Sequence, residues 1–285
     1  MSVDIHTHPH RRSVKEIQGG YGDYDLNAEL LPDGTFKDGF VEEYLADMAT
    51  VDRAIALAVA TDEYWIGASN EFISAFVRAC GEKVIGFASV DPGSPTAVQD
   101  LEFAIVEQGL RGVKLSPIYQ NFEPDVAAVY PLYEKIQELS VPIIWHQGAS
   151  LMARFGPLEA ANPVRVDKVL RDFPEIRMAF SHTAVPWNLE AVVMAQKHPN
   201  LYIDISATVM SRPWFVYNTL VSAIESECMH KILFGSDYPW YTPEETREAL
   251  YALADIPRGT NLPQLPMEML EGIFNRDAIA LLDLA

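Results

Sequence analysis

Four of the seven histidines and one aspartate of this 285-residue chain stand where a short apolar run stops. His6 and His8 end the segment Val3–His8, His146 follows Ile143-Ile144-Trp145, His182 follows Met178-Ala179-Phe180-Ser181, and Asp237 closes Ile232-Leu233-Phe234-Gly235-Ser236. A spacing of two along an extended strand puts the His6 and His8 imidazoles on one face, roughly 6–7 Å apart at the backbone, so both can converge on one ion. Taken alone, a His-x-His pair is more often a surface cluster, and a single His146 or His182 more often a hydrogen-bonded core histidine. An ionised Asp237 after so apolar a run is costly unless it is paired or metal-bound. One cation shared among the five accounts for all of them together. Pro9 breaks the ladder directly after His8, so His10 is expected in a loop.

Eight apolar, β-branched runs recur along the chain, namely Val3–His8, Arg53–Val59, Val84–Val90, Gly112–Ser116, Pro142–His146, Met178–His182, Leu201–Ser206 and Ile232–Asp237. Between them apolar residues repeat at helical spacing, as in Val41, Tyr44, Leu45, Met48 and Val51, or Phe72, Ile73, Phe76, Val77 and Cys80, or Val129, Leu132, Tyr133, Ile136 and Leu139. Ser94-Pro95 and Thr242-Pro243 each look like an N-cap followed by proline at the first helical position. Eight strands alternating with helices over roughly 250 residues suit a (β/α)8 TIM barrel of α/β class, whereas a doubly wound sheet would show fewer strands and a glycine-rich nucleotide turn. With no linker or shift of pattern, residues 1–285 read as a single domain. Two connections are long: Arg11–Gly39 after the first strand, and Arg258–Pro266 before a C-terminal helix expected over Met267–Leu284. In such a barrel the reactive groups gather at the C-terminal ends of the strands, and the five residues above fall there. His198 and His230 precede strands 7 and 8, at the opposite end, where they complement helix dipoles.

The stretches HTHPH, PIIWHQG, MAFSHTA and ILFGSDYPW resemble the metal-site signatures of the amidohydrolase superfamily. They are most similar to its amidohydrolase-related branch, which holds aminocarboxymuconate-semialdehyde and resorcylate decarboxylases alongside lactone and amide hydrolases. The resemblance runs from His6 to Asp237 with every motif in the family's order. It implies one divalent metal held by His6, His8, His146 and Asp237, with His182 orienting a metal-bound water or, less simply, holding a second metal. Three imidazoles and a carboxylate suit zinc first, with manganese or iron as alternatives. Water on such a cation has its pKa lowered toward 7. Asp237 would take the water's proton and return it to a leaving group, while His182 holds the nucleophile or polarises a carbonyl.

Lys114, near the end of strand 4, has three readings: a carboxylated bridge between two metals, an anchor for a substrate carboxylate, or an ordinary paired lysine. The anchor is preferred. Tyr119, Arg154, Trp187, Arg212, Tyr238 and Trp240 lie after strands and could line a pocket, aromatic walls holding a planar substrate and an arginine fork its carboxylate. Each is equally readable as a surface arginine or a packed aromatic.

The leading reading is a metal-dependent hydrolase of a small carboxylated lactone, ester or amide. A non-oxidative carboxy-lyase on an aromatic or muconate-type acid shares its fold and ligands, and the compact chain, without an obvious inserted subdomain after strand 1, tilts the choice toward hydrolysis. A non-catalytic metal-stabilised scaffold is the third reading. With 21 Lys and Arg against 40 Asp and Glu, the net charge of −19 argues against a nucleic-acid partner. The 49% apolar content supports a large core, and Ala54–Ala60, the longest aliphatic run, is too short for a bilayer. The start of the chain lacks a secretory pattern, and Cys80 and Cys228 have no paired spacing, so a cytoplasmic enzyme without disulfides is expected. Arg11, Arg12, Lys114, Arg154 and Arg212 all fall on the side where the barrel should open, which predicts a locally positive mouth and an anionic small-molecule substrate. The resemblance adds a homodimer.

Overall fold

The computed structural model describes residues 1–18, 22, 24–61, 66–150 and 156–284. Eight parallel strands follow one another in chain order: β1 Val3–Thr7, β2 Arg53–Leu57, β3 Val84–Phe87, β4 Val113–Leu115, β5 Ile143–Trp145, β6 Met178–Phe180, β7 Leu201–Asp204 and β8 Ile232–Leu233. Main-chain bonds close the ring. Arg111 N–H reaches Gly86 O at 2.8 Å and Ala88 N–H reaches Gly112 O at 2.8 Å between β3 and β4. Ile5 N–H donates to Phe234 O at 3.1 Å and Asp237 N–H to His6 O at 2.9 Å between β8 and β1. The result is the expected (β/α)8 barrel.

Each strand stops short of the run read from sequence. His8, His146, His182 and Asp237 therefore stand just past the ladder, where the chain must turn. His182 and Asp237 adopt φ of 59° and 65°, a left-handed geometry that ends extended structure. The helices follow the apolar spacing. Ser69 caps Asn70–Cys80 by accepting from Phe72 N–H at 3.1 Å, and Phe72, Ile73 and Phe76 are buried on its inner face. Thr242 and Glu245 form a reciprocal capping box on Pro243–Ala252.

Three local expectations are corrected. The helix placed at Ser94-Pro95 starts at Ala97, because the Ser94 hydroxyl accepts from Thr96 N–H at 3.2 Å and holds a turn there. The C-terminal helix is two, Met267–Phe274 and Ala278–Leu281, with Asp277 capping the second through Ala280 N–H at 3.1 Å. The long first connection has structure of its own: a helix Arg12–Gln18, a 3-10 turn Leu26–Glu29 and a bridge between Leu30 and Phe36.

Apolar side chains fill two layers. Ala54, Ala56, Leu115, Trp145 and Ile203 pack outward against the helices, while Ile5, Ile55, Phe87, Ile144 and Leu233 fill the barrel. Ile279, Leu282 and Leu284 join the interior layer, and Arg111 binds Leu284 O at 3.2 Å while Arg177 pairs with Asp283 at 3.1 Å. Both arginines precede strands, so the C-terminal turn plugs the N-terminal end of the barrel and leaves the other end for the site. His198 lies at the plugged end and its Nε2 meets Asp167 Oδ1 at 2.8 Å, a specific hydrogen-bond partner beyond the helix dipole. Both cysteines are buried thiols, and among the described residues no helix is long and apolar enough to cross a membrane.

Candidate metal centre

His6 and His8 leave β1 on one face, with ring centroids 5.4 Å apart. Asp237 reaches them from the end of β8, its Oδ1 3.5 Å from His6 Nε2 and 3.7 Å from His8 Nε2. One ligand atom from each of the three lies within 4.8 Å of the other two. The approach depends on Gly235, where an added Cβ would sit 3.0 Å from His6 Cβ and 3.3 Å from Ser206 Cβ.

His146 and His182 border the same cavity, ring centroids 4.9 Å apart, with His182 4.8 Å from His6. His146 Nε2 is buried without a hydrogen-bond partner, although its ligand atoms do not fall within the compact set of His6, His8 and Asp237. After His146 the chain turns at Gly148, whose φ of 99° and whose Cβ position 2.6 Å from Val185 O both demand glycine. His182 opens three consecutive left-handed residues, with Thr183 and Ala184 at φ 49° and 53°. Such a run is held only by over-determined surroundings. Here Asp204 accepts from His182 N–H at 2.9 Å and Thr208 Oγ1 donates to His182 O at 2.8 Å.

Burial dominates the electrostatics. It pushes His6 down to about 4, helped by Lys114, and pushes His8 and His146 well below the usual histidine range, helped by neighbouring imidazoles. These rings are neutral at pH 7 and keep the lone pairs that metal ligation requires. A set of three neutral imidazoles and a carboxylate, with His8 Nδ1 and His146 Nε2 both buried without a hydrogen-bond partner, fits a divalent cation. Lys114 is buried, its Nζ 3.2 Å from His6 Nε2 and 3.4 Å from Ser181 Oγ, and burial lowers its ammonium to about 8.

The cavity, about 330 Å³, brings together all five expected residues with Lys114, Tyr119, Arg212 and Trp240. Tyr119 stacks obliquely on His146 at 4.7 Å and donates to Ser150 Oγ at 2.6 Å. Trp187 and Tyr238 are corrections, since neither lines it. Trp187 packs beside Ile118 and Ala161, and Tyr238 is fully buried edge-on to Tyr44 at 5.3 Å. Arg154 lies outside the described residues. Arg11 and Arg12 also drop out of the mouth, because Glu29 takes Arg11 at 2.9 Å and Glu245 takes Arg12 at 3.2 Å. The positive mouth therefore reduces, among the described residues, to Lys114 and the exposed Arg212. His10 is in a loop but is buried, 5.9 Å from the Tyr24 ring.

Two residues escaped the sequence reading. Asp204 ends β7 fully buried, and its Oδ2 lies 2.9 Å from His6 Nδ1. Asp4, buried in β1, accepts from His6 N–H at 3.1 Å and Ser236 N–H at 3.0 Å, and burial raises its carboxyl to about 7. The reasoning applied to Asp237 would have found both, since each interrupts an apolar strand with a carboxylate that needs a partner.

Several solved structures share the whole fold at low identity. An uncharacterised TIM-barrel protein from Bordetella bronchiseptica is 22% identical with a TM-score of 0.72, covering 99% of this chain and 98% of its own. A probable 2-pyrone-4,6-dicarboxylic acid hydrolase from Acinetobacter baumannii, solved with citric acid, is 13% identical with a TM-score of 0.64 and 99% coverage of both chains. A 5-carboxyvanillate decarboxylase from Sphingomonas paucimobilis is 14% identical with a TM-score of 0.64, covering 99% of this chain and 98% of its own. No curated protein matches the chain. The model of the family described as Amidohydrolase matches residues 3–284, so the chain, with its barrel and its strand-end histidines, belongs to the amidohydrolase family.

Proposed function

We propose that the protein is a metal-dependent hydrolase of a small carboxylated lactone, ester or amide. His6, His8 and Asp237 would hold the metal with His146, zinc being the first expectation and manganese or iron the alternatives. A divalent cation there supplies Lewis acidity and brings the pKa of a bound water toward 7. Asp237 accepts the proton released by the attacking water and returns it to the leaving group. Lys114 and Arg212 take the substrate carboxylate, and Tyr119 and Trp240 wall the ring.

The observation that supports this reading is the orientation of His182. Its Nδ1 lies 3.2 Å from the Ser206 carbonyl oxygen, which can only accept. Nδ1 therefore carries a proton, and Nε2 is the ring atom left to meet a nucleophilic water. Compactness no longer separates the two readings, because the barrel spans nearly all of the decarboxylase chain as well. A cytoplasmic location, a homodimer and an anionic substrate belong to the same proposal.

The test is an assay of the zinc-loaded protein on carboxylated lactones, amides and hydroxybenzoates, following ring opening by absorbance and carbon dioxide by a coupled assay. Lactone or amide cleavage is expected. Carbon dioxide release from hydroxybenzoates or muconate semialdehydes, with no cleavage, would reverse the order of the two readings.

A further inference from the structure

We infer that Asp204 and Ser206 form a positioning pair that fixes the proton on Nδ1 of both His6 and His182, so that each ring presents an unprotonated Nε2. The inference concerns two residues outside the proposed ligand set of His6, His8, His146 and Asp237, and only its catalytic consequence rests on the hydrolase reading.

Asp204 ends β7, and a spacing of two places Ser206 on the same side of the chain. The carboxylate is fully buried and its two oxygens are divided. Oδ2 faces His6 Nδ1 at 2.9 Å. Oδ1 accepts the main-chain N–H of His182 at 2.9 Å, that of Ser206 at 2.9 Å, and the Ser206 hydroxyl. Three donors already occupy Oδ1, and Lys114 Nζ, an N–H donor, meets the other ring nitrogen, His6 Nε2, at 3.2 Å, so Nε2 accepts and Nδ1 is the ring atom that carries the proton to Oδ2. His6 Nε2, the atom 3.5 Å from Asp237, then keeps its lone pair.

The same logic passes through the hydroxyl. Its one proton goes to Asp204, so Ser206 Oγ can only accept from the rings, from His182 Nδ1 at 2.9 Å and His6 Nδ1 at 3.1 Å. The Ser206 carbonyl, also acceptor-only, points the same way for His182. Two different atoms of Ser206 and one carboxylate thus agree on both tautomers. Second-contact partners of this kind orient a ligating imidazole and raise its basicity, and losing one typically weakens metal binding about 10–100-fold.

The test uses the full-length protein, metal-free, with 15N-labelled histidine, and zinc alone as the probe; no turnover is measured, so an error in the proposed reaction leaves it standing. Long-range 15N–1H correlation spectra at pH 7.5 should show His6 and His182 as single Nδ1–H tautomers. Either ring protonated at Nε2 would overturn the inference without any variant. In Asp204→Asn the amide oxygen can keep the donors on Oδ1 while its NH2 confronts His6 Nδ1. His6 should switch to the Nε2–H form, and zinc affinity should fall about 10–100-fold by chelator competition. Ser206→Ala retains the Asp204–His6 bond and the carbonyl acceptor, so it should keep both tautomers and lose less than about threefold, well under the 10–100-fold of a lost ligand-orienting group. Wild-type zinc affinity in Asp204→Asn, or Ser206→Ala losing as much as Asp204→Asn, would overturn it.

Discussion

Lowering the pH from 7.5 to 5.0 should destabilise the metal-free protein. His6, His8, His10 and His146 are all buried, and burial depresses each below the ordinary histidine value of 6.5, to about 4 for His6 and about 3 for His10. Above pH 6.5 all four are neutral in both states and nothing is lost. As the pH falls below 6.5 the unfolded chain takes up protons that the folded chain refuses, and stability declines toward pH 4. At pH 5 His6 and His10 each cost about 2 kcal/mol, from 1.5 pH units at ~1.36 kcal/mol per unit, and His8 and His146 act in the same direction. Asp4 works the other way. Its carboxyl, raised to about 7 in the fold, binds a proton that the unfolded chain lacks at pH 5 and returns about 2–3 kcal/mol. His6 and His10 together outweigh what Asp4 returns, and His8 and His146 deepen the loss, so stability falls between pH 7.5 and 5.0. Urea unfolding of chelator-treated protein, followed by circular dichroism, measures it directly. His10→Gln, outside the proposed ligand set, should shrink the pH difference by about 2 kcal/mol. Equal or greater stability at pH 5.0 would refute the reasoning, since it would mean that these rings titrate normally or charge without penalty.

Three further outcomes follow from the geometry. Gly148→Ala puts a Cβ against Val185 O at a left-handed φ, so it should destabilise by about 2–4 kcal/mol in the same unfolding assay, and a change under about 0.5 kcal/mol would contradict the contact. Once a substrate is known, Arg212→Met should raise KM about tenfold or more for a carboxylated substrate with little change in kcat; an equal effect on its uncharged amide analogue would remove the carboxylate anchor. Asp237→Asn should fold normally yet lose about 10²–10⁴-fold in kcat, whereas His146→Ala should be seen first as lost metal occupancy by elemental analysis. Full metal retention in His146→Ala would take His146 out of the ligand set.

Much of this protein could be read from residue order. Period-two apolar runs and period-3.6 stripes are local consequences of strand and helix geometry, so eight strands, their helices and the barrel followed directly. His6, His8, His146, His182 and Asp237 were visible because a polar ligand at the end of an apolar run is a local anomaly. Their proximity was also foreseeable, since a closed parallel barrel gathers its strand ends at one rim. Pairing was not. Whether Arg11 faces a substrate or Glu29, whether Trp187 lines the cavity or packs on Ile118, and that Asp204 lies behind His6 are set by contacts between residues far apart in the chain. Side-chain partners depend on the three-dimensional register of loops, which periodicity does not encode, and so the tautomers and the shape of the mouth were decided only by the tertiary structure.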